Sequence, residues 1–330
     1  MREVADRAQV AMSSVSRVLS EHPDVSPAMR ERVLAAVDAL GYRPDLLAQG
    51  LRRGATHSIG FVVGDISNPM LAQTVKGAEG RLREEGYSVL LSNSEGDPKL
   101  DAEYVRVFSQ RRVDGLMLSL ASETEAATLE ALYEVETPCV LLDREVAGLE
   151  GASTVLADHR SGMRAAIGHL LDLGHRRIGL IAGPEMRPTR ERIAGAHEAY
   201  RERNLADELA VVPGSFSAEH GEHASDELLS RPAAPTALVA GGNQLLVGVL
   251  RTLLQRDLRF PTDVSLLTCD DTEITTVLRP SIGAVSRNSL EAGRAAAELL
   301  LRRLRSPEAG PETIMLETQF AARQSCAPPR

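Results

Sequence analysis

The spacing of apolar residues divides the chain into two textures. Residues 1–43 carry short patterns of helical period and no strand signal: one short helix is predicted over Glu3–Ala8 and a second over Met12–Leu19. Ala5, Val10, Val15 and Val18 can form an inward face, while Ser13 and Arg17, at i and i+4, share an outward one. A third helix carries clear punctuation, with Ser26 as N-cap, Pro27 in the first turn, Val33, Leu34, Val37 and Leu40 as an apolar stripe, and Gly41 as terminator. Two short helices joined by a tight turn and braced by a third follow the helix-turn-helix plan, in which the second helix enters the DNA major groove.

A short linker covers residues 44–56, and beyond Ser58 β-rich runs alternate with helical ones. Strands are predicted at 59–63, 88–92, 115–119, 139–143, 177–182, 236–240 and 265–269. Amphipathic stretches between them imply βαβ units on parallel sheets. A weak internal repeat pairs SIGFVVGD and the helix after it with RIGLIAGP and its helix, Gly60 to Gly77 matching Gly179 to Gly195. Two similar α/β units predict two lobes, each with its own sheet. Ligands of such sheets bind beyond the carboxyl ends of the strands. Those ends carry Asp65 and Asn68, Asp143, Gly242 and Asn243, and Asp270, a polar ring suited to an interlobe cleft.

Composition narrows the class. With 330 residues the chain can bury a large core without disulfides or metals. The formal charge of −9 argues against a protein that coats nucleic acid along its whole surface. The charge is uneven, however: residues 1–54 hold 8 basic and 7 acidic residues, the remainder 29 and 39. Cys139, Cys269 and Cys326 are far apart, which suits a reducing compartment and offers no zinc-ligand spacing. The N-terminus is charged from residue 2 and shows no secretory pattern, and the longest uncharged stretch, Pro232–Leu250, is too polar to span a bilayer. A cytoplasmic protein without membrane attachment or cofactor is expected. Against an enzyme, the chain has no G-x-G fingerprint, no phosphate-loop lysine and no G-x-S-x-G elbow. His220 and His223 with Asp226 read as a solvated surface rather than a metal site, and a solute-binding protein would need an export signal.

Several segments in order carry a more specific signal. VSRVL, VSP..RERV, LGYRP, IG.VV.DISNP, VDGL, LLDR, LGHRRIGLIAGP and DVSLLTCDDTE together resemble the LacI/GalR (lactose/galactose repressor) family of transcriptional regulators, over the whole chain. The resemblance implies a helix-turn-helix head at 1–44, a hinge helix and linker at 45–56, and an effector-binding and dimerisation core at 57–330. The implied fold is an all-α head on an α/β core of two doubly wound parallel-sheet lobes, like a type I periplasmic binding protein. The N-lobe would comprise about 57–156 and 287–314, the C-lobe about 157–285 and 317–330, with crossings near Leu156, Ala284–Ser286 and Glu317–Phe320. Implied partners are double-stranded operator DNA, a small sugar-like effector and a second copy of the chain in a homodimer. The alternative reading is a cytoplasmic binding protein of the same fold with weakened DNA binding.

Residue by residue, the resemblance places Met12, Ser13, Ser14, Ser16 and Arg17 on the DNA-reading helix and Leu51 as a wedge in the minor groove. Around the effector it places Asp65, Asn68, Met70, Asp143, Arg192, Phe216, Asn243 and Asp270. The chain also departs from the family. Gly50 lies in the hinge, Ala11 replaces the serine that caps the reading helix, and Gln9 replaces a turn glycine. In the core, Gly242-Asn243 stands for an Asn-Asp pair, and Ser289 for an aromatic found in some members. Weaker intrinsic operator binding is expected from the first group and an altered ligand from the second.

Overall fold

In the computed structural model, which describes residues 1–19, 22–42 and 55–330, the apolar positions of the N-terminal region converge on one small core. Helix α1 (Arg2–Ala8) contributes Val4, Ala5 and Ala8, α2 (Met12–Leu19) contributes Val15 and Val18, and α3 (Pro27–Leu40) contributes Val33 and Ala36. Ser26 Oγ accepts the Met29 N–H at 3.4 Å and Gly41 ends α3 in the left-handed region at φ 56°. The stripe expected on α3 is corrected, because Leu34 and Leu40 are 48% and 37% exposed. Val33, Ala36 and Val37 share one face at i, i+3 and i+4, whereas Leu34 is rotated by about 100° from Val33.

Residues Ser58–Arg330 form a second unit. Its N-lobe sheet has the order β11-β5-β4-β3-β1-β2: β1 (Ser58–Val63), β2 (Ser88–Asn93), β3 (Gly115–Ser119), β4 (Cys139–Leu142), β5 (Ser153–Ala157) and β11 (Thr313–Leu316). The C-lobe sheet has the order β12-β10-β9-β8-β6-β7: β6 (Ile178–Ala182), β7 (Leu209–Pro213), β8 (Ala237–Ala240), β9 (Ser265–Cys269), β10 (Gly283–Arg287) and β12 (Thr318–Ala321). All pairings are parallel except that of β10 with β12. The seven predicted strands are present, each end within a residue of its predicted place, and β5, β7, β10, β11 and β12 add to them. β3, β4, β6, β8 and β9 are buried along their whole length, as expected for parallel strands covered on both faces by helices. Of the strands left out of the prediction, β5, β10, β11 and β12 each carry Ser, Thr, Gln or Arg among only four or five residues, whereas β7, LAVVP, is apolar throughout.

The chain changes lobe three times, at Asp158, Asn288 and Glu317. After β5 it enters α7 (His159–Asp172), which packs in the C-lobe against α8 (Arg187–Glu202); after β10 it enters α12 (Ser289–Arg305), which packs in the N-lobe against α4 (Pro69–Glu84). The helix numbering includes α5 (Pro98–Gln110) and α6 (Ala126–Tyr133) in the N-lobe, and α9 (Ala218–Leu229), α10 (Asn243–Gln255) and α11 (Glu273–Val277) in the C-lobe. The repeat in the sequence thus corresponds to β1–α4 and β6–α8. Gly77 of α4 meets the Leu290 carbonyl, and Gly195 of α8 meets the Arg160 carbonyl; in both places a Cβ would collide with backbone. Both lobes bring their paired helices together through the same glycine.

Candidate functional site

Strand ends of the two lobes enclose a cavity of about 110 Å³. Six of the eight residues predicted around the ligand line it: Asn68, Asp143, Arg192, Phe216, Asn243 and Asp270. The other two do not. Met70 lies in the first turn of α4, where Asn68 Oδ1 accepts its N–H at 3.0 Å, and its side chain is buried; Leu71, one residue further round the helix, lines the cavity instead. Asp65 instead joins the lobes, accepting the Gln244 Nε2 hydrogen at 2.6 Å, while its other oxygen takes the Ser67 N–H at 2.8 Å.

The polar lining is organised by Asp143 and Asp270, which follow β4 and β9 and both adopt left-handed backbone, φ 53° and 70°. Asp143 Oδ1 accepts the Ala157 N–H at 2.8 Å, and Oδ2 is shared between His159 Nε2 at 3.1 Å and Arg287 Nη1. Asp270 is held more loosely: Asn243 Nδ2 is 3.5 Å away, Arg287 Nε 3.4 Å and Arg192 Nη2 3.7 Å. Arg287, from the C-lobe strand β10, therefore bridges the aspartates of both lobes. A second bridge runs from Asn243 Nδ2 to Asn68 Oδ1 at 2.9 Å. A third is centred on Glu123, almost fully buried, whose carboxylate accepts the Arg187 N–H at 3.1 Å and Arg190 Nη1 at 2.7 Å.

Burial alone would raise the Asp143 carboxyl, but the charges of His159 and Arg287 and the bonds from His159 and Ala157 more than offset it and hold it well below the usual range. Burial drives His159 the other way, down to about 4, with Asp143 opposing and Arg192 and Arg287 assisting. Burial also works against the Arg287 charge, yet Asp270 and Asp143 together raise its pKa. Phe216 supplies an apolar wall, seated against Gly183, where a Cβ would run into its ring. Among the described residues no three His, Cys, Asp or Glu side chains gather to hold a metal, and none of the helices is long and apolar enough to cross a membrane.

In the N-terminal unit the second helix shows Met12, Ser13 and Arg17 exposed, Ser14 and Ser16 half-buried, and Val15 and Val18 in the core. Its polar face is therefore presented outward by the same two valines that anchor it. Gln9, in the turn before it, takes the left-handed conformation at φ 54° that the glycine common in the family would adopt freely. Leu51, Gly50 and the hinge helix predicted over 45–51 lie outside the described residues.

Residues 1–45 match the bacterial regulatory proteins of the lacI family, and residues 167–326 match a periplasmic binding protein-like domain. The ribose operon repressor of Escherichia coli strain K12 is 33% identical over 321 residues, 96% of each chain. The chain belongs to the lacI family of bacterial regulatory proteins. Two solved structures of the family add shape to that likeness. The lac repressor dimer bound to operator and the anti-inducer ONPF superimposes with TM-score 0.86 at 25% identity over 98% of both chains. A LacI family regulator from Enterococcus faecium with bound ribose has TM-score 0.72 at 29% identity, covering 83% of this chain and all of that one. These relatives are transcriptional regulators, two of them named repressors, and none is described as an enzyme. Relative to the lacI-family residues inferred from sequence, the structure adds Arg287, Gln244, His159 and Glu123. Nothing in the sequence distinguished Arg287 among 35 arginines, and only the meeting of β4, β9 and β10 brings it to both aspartates.

Proposed function

We propose that this protein is a cytoplasmic transcriptional repressor that reads a pseudo-palindromic operator as a homodimer and answers to a small polar effector held between the lobes of its core. In this reading residues 1–44 are the DNA-binding head, 45–56 the hinge that orders on DNA, and 57–330 the sensing and dimerisation core. Met12, Ser13 and Arg17 face the major groove, with Ser14 and Ser16 beside them and Leu51 in the minor groove. Arg17 donates to a guanine edge and Met12 offers apolar contact. The effector contacts Asn68, Asp143, Arg192, Phe216, Asn243 and Asp270, while Asp65 sets how the lobes meet. A change in the angle between lobes favours or disfavours paired hinges, a coupling of about 1–3 kcal/mol in such proteins. No catalytic role is assigned.

The observation that carries this reading is the pairing, in one chain collinear with a ribose operon repressor over 96% of its length, of an outward polar face on α2 with a polar cavity lined by both lobes. The test is selection of a preferred site from random duplexes, followed by fluorescence anisotropy on that site and on scrambled DNA. Arg17→Ala should weaken the selected site by about 1–3 kcal/mol and scrambled DNA far less. Equal losses on both, or no site recovered by selection, overturn the assignment.

A further inference from the structure

The cleft has the opposite charge sign to the protein around it. Among the described residues the cavity is lined by three guanidinium groups, Arg144, Arg192 and Arg287, and two carboxylates, Asp143 and Asp270, in a chain of formal charge −9. In the next shell Glu123 pairs with Arg190 at 2.7 Å and Glu145 with Arg187 at 3.3 Å, Arg187 also lying 3.8 Å from Asp143, while the Asp65 carboxylate is taken up by Gln244 at 2.6 Å and by Ser67. Arg144 satisfies itself on backbone, donating to the Leu120 and Asp143 carbonyls at 2.5 and 2.9 Å. Arg192 donates to the Gly241 carbonyl at 2.6 Å and has only a 3.7 Å approach to Asp270. The Nε of Arg287 is buried without a hydrogen-bond partner, its 3.4 Å approach to Asp270 lacking the alignment for one. A surplus cation withdrawn from water is unfavourable until an anion joins it. Guanidinium groups bind carboxylate and phosphate with strong, directional hydrogen bonds.

We propose that the effector is an anionic polyol, a small polyhydroxy compound carrying one carboxylate or phosphate. Its anionic group pairs with Arg287 and Arg192, and its hydroxyls donate to Asp270 and meet Asn68 and Asn243. This rests on reading the cleft as the effector site, and it selects acids over the neutral sugars of matching size.

The test is isothermal titration of the full-length protein with matched probes: D-ribonate against ribitol, D-gluconate against sorbitol, and D-ribose 5-phosphate against D-ribose. At least one anion should bind about tenfold or more tightly than its neutral partner, the scale expected for one charge-paired contact. The carboxylate and phosphate arms tell the two anion types apart. Arg287→Gln should reduce that preference to less than about threefold, the acid-to-neutral ratio being the readout whatever the variant does to the affinity for the neutral probe, with thermal unfolding confirming that the variant is folded. The wild-type ratio stands without any variant. Neutral probes binding as tightly as their acids in every pair, no acid binding at all, or a preference that survives in folded Arg287→Gln would each overturn the proposal. Operator binding measured on the same preparation separates the two failures: it persists if only the ligand class is wrong and is absent if the regulator reading is wrong.

Discussion

Asp143 and Asp270 occupy the same place in two copies of one fold, yet they are held differently. Each follows the strand at the same position in its sheet, each is left-handed, and each donates its N–H to the neighbouring strand, to the Val155 carbonyl at 2.8 Å and the Val285 carbonyl at 2.9 Å. The difference arises one strand over. Beside Asp143, β5 ends in Ala157, Asp158 and His159, whose N–H and imidazole fasten the carboxylate. Beside Asp270, β10 ends in Arg287, Asn288 and Ser289, and the hydroxyl standing in the place of His159 makes no bond to it among the described residues. Asp143 is thus fastened by the Ala157 N–H of its own lobe and by His159 and Arg287 on the far side of the crossings, whereas Asp270 keeps acceptor capacity for something else. Topological equivalence sets where a carboxylate stands, and the side chains of the next strand decide whether it is structural or available.

The largest effect that would break this comparison is on stability. Asp143→Ala leaves His159 and Arg287 facing a gap and should cost about 3–5 kcal/mol in urea unfolding. Asp270→Ala should cost about 1 kcal/mol, because Arg287 retains Asp143, while effector-induced thermal stabilisation is lost. Equal destabilisation by the two substitutions would mean that both carboxylates are structural.

A middling effect concerns pH. Folded His159 titrates at about 4 instead of its ordinary 6.5. As pH falls, the unfolded chain takes up that proton first, so the contribution is intact above pH 6.5 and is lost as pH drops toward 4. Between pH 7 and 5 the wild type should lose about 2 kcal/mol from this group. His159→Ser, which puts beside Asp143 the residue type that Ser289 provides beside Asp270, should remove that part of the slope. An unchanged slope would place the pH dependence elsewhere.

The smallest effect uses the left-handed backbone that both aspartates share with Gln9. Aspartate tolerates that conformation and does chemistry there; exposed Gln9 supplies neither advantage. Gln9→Gly should therefore stabilise the head by about 1 kcal/mol in thermal unfolding of the N-terminal transition. Destabilisation would show that the glutamine side chain holds the turn.

Much of this was legible beforehand for physical reasons that act locally. Fully buried parallel strands are uniformly apolar, so β3, β4, β6, β8 and β9 stood out, and Ser26, Pro27 and Gly41 bound α3 through backbone preferences that need no distant partner. Asn68, Asp143, Asn243 and Asp270 were reachable because they sit at strand ends, and Arg192 and Phe216 through the family resemblance. Met70 and Asp65 do not line the cavity because one residue of helix rotation, or one hydrogen bond to Gln244, decides where a side chain points. Leu34 and Leu40 were placed inside for a similar reason, apolarity outrunning the space that a three-helix core provides.

By itself the sequence determined the family, the order of a helical head and two α/β lobes, and the residue types at the strand ends. The family follows from motifs met in order along the chain, and the order of elements from the periodicity of apolar residues. Only the tertiary structure decided that Arg287 joins Asp143 to Asp270, that His159 fastens one of them, and that an acidic protein encloses a cleft with one cation to spare. Electrostatic energy depends on distance and burial, and residues 143, 159, 270 and 287 acquire both only when three crossings bring the strand ends of the two lobes together.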